Sequence, residues 1–327
     1  MTDFKTLKSI PVKTISGDRS GAFPSSFEGQ LYYDSDGAGT FKFIGVGAGA
    51  WASGGNMNSA KVALAGTGTN TAAVAFGGYG DDGVNETELY DGSSWTEVNN
   101  LNTARYGMSS LGTTNTAALS VSGNGPQATV ESWDGTNWTE IAEVNTGRYD
   151  ATGFGTSTAG LFVAGAPYST AVETWNGASW TEIAEVNTGR TSLSSSGGSI
   201  TNGMVFNGRT SSTAVTANTE VWNGTSWTEV NNTNQARRHS GGSGISSADA
   251  LTFGGCNVGA STRYANTEIW DGTSWTETNN LATARQDVGS NGLSSQNALM
   301  YGGYSAPVVA TTEEWNFAHP LKTVDVS

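Results

Sequence analysis

The chain has 327 residues, 45 of them glycine, with 13% charged and 10% aromatic residues and a net charge of −14. That length buries a sizeable core, and recurrent aromatics argue against disorder. An acidic surface with a pI near 4.4 disfavours nucleic acid and anionic lipid as partners, and no stretch is apolar enough for membrane insertion. One cysteine, Cys256, rules out an intrachain disulfide.

In chain order, residues 1–22 form a segment with four cations (Lys5, Lys8, Lys13, Arg19) against Asp3 and Asp18, leaving −16 on the remainder. It is expected to be an extended anchoring arm that orders on a partner. It has no apolar core of signal-peptide length, so no signal peptide is expected. Residues 23–48 suit a β-hairpin carrying Leu31, Tyr33, Phe41 and Phe43. A strand around Trp51 follows.

From there the chain repeats. Trp51, Trp95, Trp138, Trp180, Trp227 and Trp275 recur at intervals of 42 to 48 residues. Ten residues after each stands a cation: Lys61, Arg105, Arg148, Arg190, Arg237 and Arg285. Five residues before the last five tryptophans stand Tyr90, Trp133, Trp175, Trp222 and Trp270, and Trp315 takes that place in a sixth copy. Between the cation and this aromatic lie two strands joined by a short polar turn, then a glycine (paired in three copies) and a variable loop. Segments such as ETWNGASWTEI and EIWDGTSWTET then supply two strands around an Asn-Gly or Asp-Gly turn. Four antiparallel strands per copy predict an all-β, six-bladed β-propeller over 49–317, with 318–327 as a tail. The final copy lacks a fourth-strand tryptophan, and the Trp51 strand is a fourth strand without a blade. Pairing the two closes the ring and removes two open sheet edges.

Gly-Gly ending the second strand, an aromatic-Asp in the third, Trp in the fourth and Arg before the next blade resemble the Kelch repeat. Pro24-Ser25-Ser26, Glu28 to Asp34 (EGQLYYD) and Trp51 resemble an N-terminal module of bacteriophage tail-fibre and other virion proteins. The NGxSWTE and NTAR segments resemble Kelch-type structural proteins of cyanophages. These resemblances imply a non-enzymatic virion protein, made in the host cytoplasm, docked onto other virion proteins through residues 1–48. Its propeller would serve host-surface attachment or decoration. Two alternatives remain open: a glycan-binding or glycan-processing propeller, and a soluble protein-interaction scaffold.

The repeated tryptophans are expected to pack between blades. The repeated arginines are expected to pair with the Glu of Trp-Thr-Glu or with a neighbouring carbonyl. Loops between second and third strands share one face with the interblade connections. They carry Tyr79, Asp81, Asp82, Tyr168, Arg209, Arg263, Tyr264 and Tyr304, which are the candidate binding residues for a host glycan or protein. Arg263 and Tyr264 are expected beside Arg209. Of the two histidines, His239 and His319, neither has evident catalytic partners in sequence; no enzyme activity, cofactor or metal is expected.

Overall fold

The computed structural model describes residues 49–80, 85–125 and 127–317, together with backbone strands at Lys13–Ile15, Leu31–Asp34, Thr40–Ile44 and Leu321–Thr323. It is all-β. Residues 50–316 form one compact unit, and residues 1–49 with 317–327 another.

In the second unit, Leu31–Asp34 and Thr40–Ile44 pair as an antiparallel hairpin. The hairpin is flanked by Lys13–Ile15 in parallel on one side and Leu321–Thr323 on the other. The arm and the tail thus each contribute a strand to the hairpin's sheet, and 13–15 is sheet-paired backbone within the span read as an arm.

The first unit is a six-bladed propeller. Blade 1 spans 65–98, blade 2 109–141, blade 3 152–183, blade 4 194–230, blade 5 241–278, and blade 6 comprises 289–317 plus 49–53. Each is a four-stranded antiparallel sheet running from an inner strand at the axis to an outer strand at the rim. Blade 6 is completed by Gly49–Ser53 lying against Thr312–Phe317, which closes the ring. The Trp51 and Trp315 rings meet at 5.5 Å.

Residue chemistry explains each strand. Second strands such as Ala73–Phe76 and Gly160–Val163 are buried along their full length and carry small or aliphatic residues with one aromatic. Each ends in a pair of left-handed residues. The first, at φ near +60°, is glycine in three blades and Ser122, Ala164 or Asn207 in the others; the second, at φ from +91° to +137°, is always glycine. The first value is accessible to an L-residue at modest cost, whereas the second is largely closed to any side chain. Third and fourth strands are joined by Asx turns, as where Asp91 Oδ1 accepts the amides of Ser93 and Ser94 at 2.8 Å.

Blades pack through the repeated tryptophans. Trp138 of blade 2 meets Phe76 of blade 1 at 4.8 Å, and its indole N–H donates to Thr87 Oγ1 at 3.0 Å. Trp275 repeats this with Phe206 and Thr219, and Trp51 with Phe253 and Thr267. Where valine replaces the threonine, in blades 2 and 3, Trp180 and Trp227 donate instead to the carbonyls of Ala142 and Ala184. At the seam between blades 6 and 1, Trp95 packs on Tyr301 and donates to Thr312, while the Tyr90 hydroxyl donates to Glu314.

Candidate functional site at the long-loop face

The connection entering each blade carries the repeated cation, and its destination corrects the sequence reading. Arg105, Arg148 and Arg190 pair with Glu131, Glu173 and Glu220 at 2.8, 3.1 and 2.6 Å; Arg237 and Arg285 pair with Glu268 and Glu313, and Lys61 with Glu88 at 2.9 Å. These glutamates lie on third strands and are buried. The Glu of Trp-Thr-Glu lies on the outer strand at the rim, where it is solvated. The expected carbonyl contacts are present: Arg190 Nη1 donates to the carbonyls of Asn207 and Asn218.

An asparagine that the sequence reading gave no role completes five of the six clamps, and in the sixth Ala282 supplies its amide alone. Three positions before the cation, Asn187 donates its amide and its side-chain Nδ2 to the far oxygen of Glu220 at 2.7 and 2.9 Å. Asn58, Asn102, Asn145 and Asn234 repeat this in their blades. Each connection is therefore fixed on an internal carboxylate, and the residues beyond it are held at the face.

Two positions after each cation the chain turns left-handed in all six connections: Ala63, Gly107, Asp150, Ser192, His239 and Asp287 have φ between +51° and +61°. Each amide donates to the carbonyl of the preceding member, and Ala63 N closes the circle onto Asp287 O at 2.9 Å. The six residues thus ring the axis, and a cavity of about 100 Å³ lies among their side chains. Deeper along the axis a cavity of about 180 Å³ is lined by the inner strands, including Ser109, Thr152, Ser194, Ser290 and Asn291. Hydroxyls here latch neighbouring blades, as where Ser195 Oγ donates to Gly153 O at 2.8 Å.

Side chains on four consecutive ring members interact. His239 Nδ1 contacts Asp287 Oδ1, His239 Nε2 lies 3.1 Å from Arg238 Nη1, and Ser192 Oγ donates to Asp150 Oδ2 at 3.3 Å. His239 therefore has partners that its sequence neighbourhood did not reveal. Because Ser192 turns to Asp150 and Nε2 to Arg238, this arrangement does not align a nucleophile on the imidazole. Burial raises the Asp150 carboxyl above its ordinary value, with Asp287 adding to the effect. For His239 burial acts downward, but the carboxylates of Asp287 and Asp150 outweigh it and the net shift is upward. Burial would raise Asp287 too, yet His239 and the Gln286 amide hold it below its ordinary value.

The candidate binding residues divide. Tyr79 is 59% exposed and meets Tyr106 edge-on at 5.7 Å. Arg263 stacks over Tyr304 of the next blade at 4.5 Å, rather than beside Arg209. Arg209 instead turns back to the carbonyls of Ser211 and Ser212 in its own loop. Tyr168 is half-buried with φ +68°, and Tyr264 is half-buried with its amide bonded to Gly255 O. Asp81 and Asp82 lie outside the described residues. Sequence reasoning missed Tyr106 and Tyr149, which directly follow the repeated arginine and are 37% and 39% exposed. Their fixed offset from that arginine was the available signal. Burial pushes the Cys256 thiol up to about 11, so it is unreactive as a thiolate at neutral pH.

Among the described residues no group of three or more His, Cys, Asp or Glu side chains is placed to hold a metal ion. No protein-family model matches the chain. No curated protein matches it in sequence.

Proposed function

We propose that the protein is a non-enzymatic recognition module whose propeller binds a host-surface glycan or protein at the long-loop face. One observation carries this reading. Of the four large hydrophobic side chains exposed among the described residues, Tyr79, Tyr106 and Tyr149 stand on this face, in blade 1 and the connections into blades 2 and 3. The fourth, Ile245, lies toward the far end of the blade 5 inner strand. Exposed tyrosines on a rigid scaffold offer large contact area with little ordering cost, the pattern of binding hot spots. Their rings also suit the apolar faces of sugars.

The setting we propose is a virion. The Kelch-like repeat and the likeness of residues 24–34 and Trp51 to a tail-fibre module support it, as does the basic character of residues 1–22. In this reading residues 1–48 dock onto other virion proteins, and multiple copies compensate for weak single contacts. Deleting residues 1–22 is expected to abolish incorporation into particles while the propeller folds; incorporation at full occupancy would place docking elsewhere.

The face itself is tested with beads bearing many copies of the full chain, applied to host envelope fractions and to a glycan array. Replacing Tyr79, Tyr106 and Tyr149 together by alanine is expected to weaken binding on the order of thirtyfold or more, the equivalent of one hot spot. Thr113→Ala with Thr114→Ala, on the short-turn face, should leave binding unchanged. Equal binding by both variants would remove the case for this face.

A further inference from the structure

We propose that His239 is a proton-operated latch for Arg238: the neutral imidazole holds the guanidinium at the axial mouth, and protonation releases it to the long-loop face. This rests on the reading that the face binds a ligand, whose charge surroundings the latch would set.

The geometry defines the neutral state. An arginine N–H can only donate, so Arg238 Nη1 at 3.1 Å requires a lone pair on Nε2. The ring proton then sits on Nδ1 and is directed at Asp287 Oδ1. A proton arriving from solvent on Nε2 sets a donor against a donor and a cation against a cation, so Arg238 must leave. Its other side-chain partner is the Cys256 thiol, a weak acceptor, and the carboxylates of Asp150 and Asp287 attract it through charge. Arg238 Nε has no hydrogen-bond partner, and the backbone of residue 238 pairs with Cys256. Cys256 in turn pairs with Arg263, whose guanidinium already covers Tyr304. The released guanidinium therefore adds a hydrogen-bond donor beside Arg263.

The groups facing His239 are Asp287 from the connection into blade 6, Asp150 from that into blade 3, and Arg238 from its own. Cys256 and Arg263 lie around Arg238. Ala63, Gly107 and Ser192 complete the ring without a charged side chain. The two carboxylates favour the proton, so release belongs near neutrality rather than in strong acid.

The experiment is long-range proton–nitrogen NMR on the full chain labelled with nitrogen-15, with His239 assigned by comparison with His319→Gln. At alkaline pH the His239 signals should show a proton on Nδ1 and none on Nε2. On acidification Nε2 should gain a proton with a midpoint above the ordinary 6.5, and the Arg238 Nε–H resonance should move with the same midpoint. Arg238→Met should raise that midpoint by roughly one pH unit, because it removes both a cation and the donor to Nε2. A proton on Nε2 at alkaline pH, or an Arg238 resonance that stays flat through the His239 titration, would overturn the latch. The two wild-type readings decide the matter even if Arg238→Met does not fold. None of these readings uses a ligand, so failure of the latch is distinguishable from failure of the binding face.

Discussion

Two kinds of residue hold the long-loop face in place: buried ion pairs that fix each connection, and the left-handed ring that follows them. Glu220 receives Arg190, the amide and side chain of Asn187, and the amide of Thr188, so all its acceptor capacity is used inside the protein. Removing one partner leaves a buried charge. Arg190→Met is therefore expected to cost about 3–5 kcal/mol by urea denaturation, whereas Glu229→Gln on the solvated outer strand should stay within about 0.5 kcal/mol. Similar losses from both would restore the Trp-Thr-Glu glutamate as the structural partner. The ring makes a pH prediction. His239 is raised from 6.5, so its favourable contribution is present below 6.5 and is lost as pH climbs through its higher folded value. Asp287 is lowered from 3.8, so its contribution is present above 3.8 and is lost as pH falls through its lower folded value. The melting-temperature gap between the wild type and His239→Gln should thus be widest below 6.5 and narrow towards alkaline pH. A gap constant across that range would show that the imidazole acts through shape alone.

At the scale of strands and blades, the tryptophan repeat sets the register. Tryptophans at fixed spacing define strands three and four, and the structure pairs Trp133 with Trp138, Trp175 with Trp180 and Trp222 with Trp227 across each turn. Trp138→Ala removes an indole packed between two blades and is expected to cost about 3–5 kcal/mol. Trp138→Phe, which keeps most of the packing but loses the bond to Thr87, should cost on the order of 1 kcal/mol plus a small packing term. A Phe variant as damaging as the Ala variant would give the hydrogen bond, not the packing, the dominant role. Other features were not legible for identifiable reasons. Blades 1 to 5 each offer two glutamates at fixed offsets from the aromatic pair, such as Glu220 and Glu229, and these are cross-strand neighbours. Sequence spacing treats them alike; only depth from the rim separates them. The axial ring was hidden because its members, Ala, Gly, Asp, Ser, His and Asp, share a backbone angle and no side-chain chemistry. Tyr106 and Tyr149 lie in the interblade connections, whereas sequence variability marks the loops between second and third strands.

For the whole molecule, six copies of one pattern make a face only if the ring closes, because an open ring splays its blades and leaves two strand edges unpaired. The seam has more bonds than a single strand pair. Gly54 N donates to Thr312 O at 3.0 Å, Met57 N to Ala310 O at 2.8 Å, and Asn70 Nδ2 to Asn316 Oδ1 at 3.1 Å. Ala63 of the axial ring adds its bond to Asp287. Yet the outer strand of blade 6 comes wholly from residues 49–53. The most direct test of a closed six-bladed platform is therefore the size and melting temperature of a chain beginning at residue 55, compared with the full chain by light scattering and calorimetry. The closed ring predicts that the shortened chain associates through the exposed edge of Thr312–Phe317 and melts far lower. A shortened chain that stays monomeric and melts with the full chain would contradict closure through 49–53, and with it the six-fold face on which the proposed recognition depends.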